Sequence, residues 1–554
     1  MVWRPKLGSA RRIGSTATRF MVMMIITSFL VTPILAADQP SAFEVRGPTR
    51  EGIPDFIDTT YDVESNDFRE PIFVEYHGKV HVFWMTKVQN TWIGATNVIK
   101  AALIKTRSFD ARNGVLKFDP MFMLTPNSND TMGAGNVFPT PVVYKDKLYL
   151  FWACGDTAQR PPDAQDGVKV IYKVFDGTNW SAKASLVALP ETSGLFSDDT
   201  TINTTIYNDK LYVTWTRTIA DQGYTYGKIL SRAFDGQYWG KQMEVSGVLN
   251  TTATDNPHMA VYKTSLYVVW HAKNTQTGDI RVMVNSFDGT QWGTSQEIFY
   301  VPDPVSGYFS NPRIAAYKNP ATGKDELWGV WTTYGVGAFA AGPNDWDIVG
   351  RIFNGTGWGD VFQLTSPTDQ GPDMNPQIAV FKGRVYVAWE CSDSSVKPGP
   401  EKSIVMRVND GYGWTGIKEV SRPGQREIWD SKHEYRLGDD EWVTLGVYEN
   451  KLCAMYRTLD NITGRDGTKD IILRNITAYD SNGDGYMDGQ VVPPRTVKSS
   501  TGTGNEGTFA SLTCLVVVLF MVLVAALIYI FERPGRDEGK DEDALEEEES
   551  DEEE

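Results

Sequence analysis

The stretch from Asp480 to Asp488 carries groups that could bind a hard metal ion. Oxygen-bearing residues occupy alternate positions, and the candidate ligands are Asp480, Asn482, Asp484, Tyr486 (through its backbone carbonyl) and Asp488. Gly485 suits the sharp turn of such a loop, and Ca²⁺ takes oxygen ligands at this spacing. The residue at position twelve is Val491 rather than Glu, so the loop is not a complete EF-hand. The pattern predicts a structural calcium site, and the alternative is an Asx-rich hairpin without metal.

A second group of polar residues stands at the ends of repeated apolar segments. The members that we single out as a ligand-binding face are Asp255, His258, His271, Asn311 and Asp373. Carboxylate, imidazole and amide groups together can hydrogen-bond a polar ligand. The alternative is that strand ends are polar in any case, and that Asn-Pro simply begins a strand.

The elements that position these residues are short strands. Between Asn256 and Trp292, apolar residues alternate with polar ones in three runs, which is typical of half-buried strands. Lys263-Thr264 and Asp288-Gly289 suit the tight turns of an antiparallel meander.

The same pattern occurs seven times, and its second strand ends in turn at Trp84, Trp152, Trp215, Trp270, Trp331, Trp389 and Tyr456. The six intervals from Trp84 to Tyr456 span 372 residues, or 62 per unit, which is room for four strands. Such repeats predict an all-β protein, a β-propeller of seven four-stranded blades, with six or eight blades as alternatives. We expect the repeated aromatic residues to pack between blades rather than to stack on sugars.

Five turns follow the third strands and end at Trp180, Trp239, Trp292, Trp358 and Trp414. Their Phe-Asp-Gly-Thr-x-Trp pattern resembles the Asp-box hairpins of the sialidase-like (BNR-repeat) propellers, over most of residues 69–480. The Asp carboxylate is expected to cap turn amides.

The resemblance implies a candidate catalytic set. Phe68-Arg69-Glu70-Pro71 is similar to the family's first arginine motif. The carboxylate-binding arginines would be Arg69 with Arg217, Arg313 and Arg457, and the nucleophile and base would be Tyr334 and Glu390. The family's acid/base Asp belongs to a loop that corresponds here to residues 85–100, which contain no Asp or Glu. We therefore favour ligand binding over catalysis.

The two ends of the chain predict a membrane-anchored protein. Residues 1–37 have the layout of a signal peptide, followed by a propeller ectodomain over 38–495. Residues 496–511 form a flexible stalk, 512–531 an uncharged stretch of membrane-helix length, and 532–554 an acidic disordered tail. Positive residues directly after the span place the tail in the cytoplasm and the large domain outside. An uncleaved N-terminal anchor is the alternative to a signal peptide.

The net charge and the cysteines argue against a nucleic-acid partner and against a fold held by disulfides. The net charge of −17 argues against a nucleic-acid partner. Four cysteines do not make a disulfide scaffold, and Cys154 and Cys391 fall in blades too far apart to form a bridge. Seven glycosylation sequons are consistent with a glycoprotein.

Together these observations predict a cell-surface, single-pass membrane protein whose propeller binds an extracellular glycan or protein. The first alternative is a sialidase-like exo-glycosidase. The second is a structural component of the cell envelope.

Overall fold

The structure is a computed structural model. It describes residues 56–57, 69–87, 91–93, 96–98, 102–110, 117–120, 122–125, 136–155, 168–186, 196–221, 224–247, 252–274, 276–302, 310–334, 345–366, 371–392, 401–421, 439–458 and 470–476. The predicted calcium loop, signal peptide, stalk, membrane span and acidic tail lie outside these residues. In the part that is described, no helix is long and apolar enough to span a membrane.

The described strands form seven antiparallel blades, which confirms the predicted propeller and its blade number. β1 (Phe56–Ile57) comes first in the chain. Blade one contains β2 (Arg69–Tyr76), β3 (Lys79–Lys87), β6 (Ala102–Asp110), β7 (Lys117–Phe118) and β8 (Phe122–Met123), with a small hairpin of β4 (Thr91–Ile93) and β5 (Thr96–Val98) before β6. Blade two contains β9 (Asn136–Tyr144), β10 (Lys147–Cys154), β11 (Lys169–Phe175) and β12 (Ala184–Ser185).

The remaining blades repeat this order. Blade three contains β13 (Phe196–Tyr207), β14 (Lys210–Asp221), β15 (Tyr224–Phe234) and β16 (Met243–Glu244). Blade four contains β17 (Thr252–Tyr262), β18 (Ser265–Asn274), β19 (Ile280–Phe287) and β20 (Gln296–Val301). Blade five contains β21 (Arg313–Lys318), β22 (Asp325–Tyr334), β23 (Trp346–Phe353) and β24 (Phe362–Gln363). Blade six contains β25 (Asp373–Phe381), β26 (Arg384–Cys391), β27 (Ser403–Asn409) and β28 (Lys418–Glu419).

Blade seven combines the two ends of the propeller sequence. β29 (Asp440–Tyr448), β30 (Lys451–Thr458) and β31 (Asp470–Asn475) are completed by β1, which pairs with β31. Phe56 lies opposite Ile472, and Ile57 lies opposite Ile471. Phe56–Ile57 thus add a strand that the repeat pattern does not predict. A short strand without its own hairpin has no local sequence signal, because its partner lies at the far end of the domain.

The repeated aromatic residues fill the spaces between blades. Trp152, Trp215, Trp270 and their equivalents in the other second strands are less than 2% exposed. Phe151 of blade two packs in one cluster with Val213 and Trp215 of blade three. The prediction that these rings serve packing is confirmed, since each cluster joins neighbouring blades.

The Asp turns use the carboxylate as predicted. Asp288 Oδ1 accepts hydrogen bonds from the backbone nitrogens of Thr290 and Gln291, at 2.7 and 2.9 Å. These hydrogen bonds, together with one from the Thr290 hydroxyl, hold the pKa of Asp288 below its usual range. Gly289 has a φ of 105°, a conformation that only glycine adopts readily. The turn therefore requires a glycine directly after the aspartate.

In the described structure, tyrosines at the ends of the first strands connect each of blades one to five to the next blade. Tyr144 Oη donates to the backbone carbonyl of Asp209, and Tyr262 Oη donates to that of Asp325, at 2.7 and 2.9 Å. Equivalent bonds come from Tyr76, Tyr207 and Tyr317. Blade six has Phe381 at this position, which has no hydroxyl group. These hydrogen bonds link neighbouring blades on one face of the propeller. We call it the hairpin face because it carries the turns between first and second strands.

Cysteine pairing agrees with the expectation from the sequence. Cys154, Cys391 and Cys453 are buried and form no disulfide in the described structure.

Candidate functional site

The innermost strands enclose a central channel, and their starts are bent in the same way. In six blades a non-glycine residue with φ between 37° and 60° occupies the same position near the start of the strand. These residues, which we call the bulge ring, are Phe138, Thr201, Asn256, Asn311, Asn375 and Trp442. In β9, β13, β17, β25 and β29 the position coincides with a shift of strand register. Positive φ is strained for bulky residues, and bulges re-aim side chains beside functional sites.

The bulge ring lines a cavity of about 310 Å³ at the channel mouth, the end opposite the hairpin face. Every blade contributes to its wall. The other polar lining residues are Thr140, Asn203, His258, Arg313, Gln377 and Thr444, and the aromatic side chains are Phe73, Phe138 and Trp442. The wall is thus rich in neutral hydrogen-bonding groups beside one guanidinium and aromatic surface.

Three asparagines of the bulge ring form a continuous chain across blades four, five and six. Asn256 Nδ2 donates to Asn311 Oδ1 at 2.7 Å. Asn311 Nδ2 donates in turn to Asn375 Oδ1. Asn375 Nδ2 then donates to Glu390 Oε1 at 2.8 Å. We call Asn256, Asn311 and Asn375 the amide chain.

Glu390 determines the donor-to-acceptor direction of the hydrogen bonds along the amide chain. Its Oε1 also accepts from the Trp442 backbone nitrogen at 3.0 Å, and as a carboxylate oxygen it can only accept from Asn375. Asn375 must therefore present its nitrogen to Glu390 and its oxygen to Asn311, and the same orientation follows back to Asn256. Glu390 is 2% exposed, and burial raises the pKa of its carboxyl against the opposing effect of Lys402.

Charged side chains surround Glu390 at the junction of blades six and seven. Lys402 Nζ lies 3.6 Å from Glu390 Oε2 and donates to Glu441 Oε1 at 2.7 Å. Glu441 also accepts a hydrogen bond from Arg457. Two cations are thus shared between two carboxylates, which is how buried charges are normally compensated.

His258 and Arg313 supply donors from blades four and five. The Ile314 backbone nitrogen donates to His258 Nδ1 at 3.3 Å, so the neutral ring carries its proton on Nε2. Burial, and then the charge of Arg313, lower the pKa of His258 to about 3. Arg313 Nη1 donates to the Pro312 carbonyl at 3.0 Å, while its Nε lies 3.4 Å from Gln377 Oε1. At neutral pH this part of the wall offers an uncharged N–H and one positive charge.

Asp255 lies behind the bulge ring and connects blade three to blade four. Its Oδ1 accepts from the Thr201 hydroxyl at 2.6 Å and from the Asn256 backbone nitrogen at 2.8 Å. Burial raises the pKa of Asp255 in spite of these bonds. Asp255 therefore orients two residues of the bulge ring.

The other predicted ligand-face residues, His271 and Asp373, bond to groups within the protein. His271 Nδ1 accepts from the Ser310 backbone nitrogen at 3.2 Å, and burial lowers its pKa to about 3. Asp373 is 1% exposed and accepts from Trp389 Nε1 at 2.8 Å. Of the predicted ligand face, the structure brings His258 and Asn311 to the cavity wall, with Asp255 directly behind it.

The arginines singled out from the family resemblance take different places. Arg217 Nε donates to Asp199 Oδ1 at 2.7 Å inside blade three, and Arg457 binds Glu441. Tyr334 is buried beside Trp346, with ring centroids 5.7 Å apart. Arg69 pairs through its backbone with Met85 in blade one. Within the described part of the chain, the residues lining the cavity include Arg313 and neither Arg217 nor Arg457.

Several site residues were missed by sequence reasoning. Phe138, Gln377 and Trp442 were not singled out, because nothing in a single repeat distinguishes them from other residues at a strand start. Aligning the repeats on the dipeptides Asn256-Pro257, Asn311-Pro312 and Asn375-Pro376 would have placed Phe138-Pro139 in the same column. Among the described residues, no group of three or more His, Cys, Asp or Glu is arranged to hold a metal ion.

Comparisons with known proteins find similarity in fold. No known protein family matches the sequence, and no curated protein matches it. Trypanosoma rangeli sialidase in complex with sialic acid has a TM-score of 0.38 at 12% identity, covering 62% of this chain and 54% of that one. Penicillium chrysogenum alpha-L-arabinanase complexed with arabinobiose has a TM-score of 0.37 at 12% identity, covering 63% and 96%. The chain thus spans about half the length of the sialidase, and its fold is loosely similar to those of sialidases and arabinanases.

Proposed function

We propose that the protein binds an extracellular glycan at the channel mouth. The observation that carries this proposal is the amide chain, in which strained residues of successive blades present amide groups to one cavity. Asn311 and Asn375 each use one N–H and the oxygen within the amide chain, and Asn256 uses one N–H, which leaves a second N–H on each side chain available for a ligand. Amides, a neutral imidazole and aromatic rings are groups that suit a ligand rich in hydroxyl groups.

The size of the cavity supports a small group rather than a broad protein surface. A volume of about 310 Å³ lies at the lower end of small-molecule sites, which run from roughly 300 to 1,000 Å³. Stable protein interfaces instead bury about 800 Å² on each partner. The proposed ligand is therefore a terminal sugar unit, with Arg313 favouring one that carries a negative charge.

A glycan array tests the proposal, with Asn311→Ala and Arg313→Ala as site variants. Asn179→Ala, in an exposed turn of the hairpin face, is the control that leaves the cavity intact. We expect binding by the unmodified chain and the control, and at least a tenfold loss in both site variants, equivalent to about 1.4 kcal/mol. An array without any binding would reject the proposal and favour the structural alternative.

Binding without catalysis is the preferred form of this function. Within the described structure, the cavity lining contains no carboxylate, whereas glycoside hydrolysis normally uses two. Glu390 and Asp255 lie behind the amide chain and are engaged by it. Turnover of chromogenic glycosides that is lost in both Arg69→Ala and Arg313→Ala would overturn this preference in favour of an exo-glycosidase.

We also propose that the chain is held at the cell surface by a single membrane helix. Residues 512–531 have the length and composition for it, and positive residues follow directly. Carbonate extraction of membranes, combined with protease treatment of intact cells, checks both anchoring and orientation. A chain released by carbonate would argue against the anchor.

The third part of the proposal is a structural calcium ion in residues 480–488. The spacing of side-chain oxygens supports it. Calorimetric titration should show heat on adding calcium and a raised melting temperature, and both should disappear in Asp484→Ala. Titration with neither heat nor a thermal shift would leave the hairpin without metal.

A further inference from the structure

One of the Asp-type turns has an asparagine in place of the aspartate. Asn354 follows β23 in blade five, where the equivalent turns have Asp176, Asp235, Asp288 and Asp410. Its Oδ1 accepts from the backbone nitrogens of Thr356 and Gly357 at 2.9 and 3.1 Å, and from the Thr356 hydroxyl at 2.8 Å. The turn therefore uses only the oxygen of this side chain, as it would use a carboxylate oxygen.

The nitrogen of the same side chain is not used by the turn. Asn354 is exposed, and its Nδ2 takes part in none of the hydrogen bonds found among the described residues. Gly355, with a φ of 102°, places no side chain between Asn354 and Thr356. Asn354-Gly355-Thr356 is an Asn-x-Thr sequence, so an acceptor motif coincides with an accessible amide nitrogen.

Two other described sequons differ from this one in their surroundings. Asn203 lines the channel, and its Oδ1 accepts from the Met259 backbone nitrogen at 2.9 Å, so a glycan there would fill the channel. Asn179 is also exposed, but the Ser181 hydroxyl of its sequon donates to the Ala182 carbonyl at 2.8 Å, whereas the Thr356 hydroxyl donates to the asparagine of its own sequon. The structure thus separates sequons that look alike in the sequence.

We infer that Asn354 is a site of N-linked glycosylation on the hairpin face of blade five. In the reaction, Asn354 Nδ2 forms a bond to the anomeric carbon of an oligosaccharide carried on a lipid pyrophosphate. The bond between that carbon and the pyrophosphate oxygen breaks, the lipid pyrophosphate leaves, and the amide nitrogen gives up one proton. The inference depends on the proposed extracellular location and is independent of ligand binding in the channel. It places the glycan on the opposite face from the channel mouth.

The test uses the full chain expressed in eukaryotic secretory cells and recovered after labelling at the cell surface. Peptides are analysed by mass spectrometry before and after enzymatic release of N-glycans, which converts each occupied asparagine to aspartate. We expect the peptide containing Asn354 to carry a glycan and the peptide containing Asn203 to be unmodified. An unmodified Asn354 in surface-labelled chain, whether or not other sequons are occupied, overturns the inference.

The matched variant is Asn354→Asp. It keeps an oxygen to cap the turn, as at Asp288, and removes the nitrogen that accepts the sugar. We expect this variant to lose one glycan. Thr356→Ser should retain the glycan, and Thr356→Val should lose it. A glycan mass that Asn354→Asp leaves unchanged also overturns the inference, while channel binding stays testable in the same variant.

Discussion

Asn375 Nδ2 donates a hydrogen bond to Glu390 Oε1 across the first two strands of blade six, at 2.8 Å. Because a carboxylate oxygen can only accept here, this one contact orients the side chains of Asn311 and Asn256 as well. A buried acid in one blade therefore determines which hydrogen-bonding groups three blades present to the channel.

Removing this acid should destabilise the protein. Glu390→Ala leaves Asn375 Nδ2 and the Trp442 backbone nitrogen without their acceptor, and we expect the free energy of unfolding to fall by about 1 to 3 kcal/mol. Glu390→Gln keeps an oxygen acceptor and should lose less. Urea unfolding measures both. Glu297→Ala, which removes an acid whose side chain is 42% exposed, is the control, and an equal loss there would contradict the role of Glu390.

Stability should depend on pH through Asp347. Burial and the neighbouring Asp345 raise its pKa from 3.8 to about 6, although Thr365 and Gln363 donate hydrogen bonds to it. Because the folded state holds the proton more tightly, this stabilisation is complete below about pH 4 and is lost as the pH rises through about 6. Asp347→Asn should be more stable than the unmodified protein at pH 7, by up to about 3 kcal/mol.

The measurement for Asp347 is the midpoint of urea unfolding at a series of pH values. The difference between Asp347→Asn and the unmodified protein should grow between pH 4 and 6 and then level off. Asp325→Asn, at an exposed position, is the control. A difference that does not change with pH would show that Asp347 does not titrate in this range.

Two equivalent tryptophans should respond differently to the same substitution. Trp215 Nε1 donates to the buried carboxylate of Asp199 at 3.0 Å, whereas the Nε1 of Trp270 has no hydrogen-bond partner in the described structure. Both Trp→Phe variants shrink a buried ring and should cost roughly 1 to 3 kcal/mol. Trp215→Phe should cost about 1 to 3 kcal/mol more, because Asp199 loses a donor. Equal unfolding midpoints for the two variants would refute this.

The tyrosine bonds between blades should contribute modestly to stability. Tyr262→Phe removes the bond to the Asp325 carbonyl and should lower the free energy of unfolding by about 0.5 to 1.5 kcal/mol. A phenylalanine fits this position, since blade six has Phe381 there. Thermal unfolding provides the measurement, and Tyr412→Phe, at a residue that is 81% exposed, serves as the control. Equal melting temperatures for the two variants would show that the Tyr262 hydroxyl does not contribute to stability.

Much of the architecture is encoded in local sequence. Alternating apolar residues, Asp-Gly turns and the repeated Trp predict strands, hairpins and buried rings, because each depends only on residues a few positions apart. The period of the repeat then determines the propeller and its seven blades, since blades of this kind can bury their faces only on one another. The resemblance of the turns to Asp boxes likewise reflects local chemistry, which Asp288 shows in its hydrogen bonds.

The site depended on contacts between residues that are far apart in sequence. Asn256, Asn311 and Asn375 belong to separate blades, and only closure of the ring brings their amides together. Asp373 and His271 bond instead to Trp389 Nε1 and to the Ser310 backbone nitrogen, while Arg313 lies at the cavity wall. The sequence by itself therefore determined what each blade is made of. The tertiary structure decided which polar groups meet at the channel, because strand register and neighbouring blades, not residue type, direct each side chain.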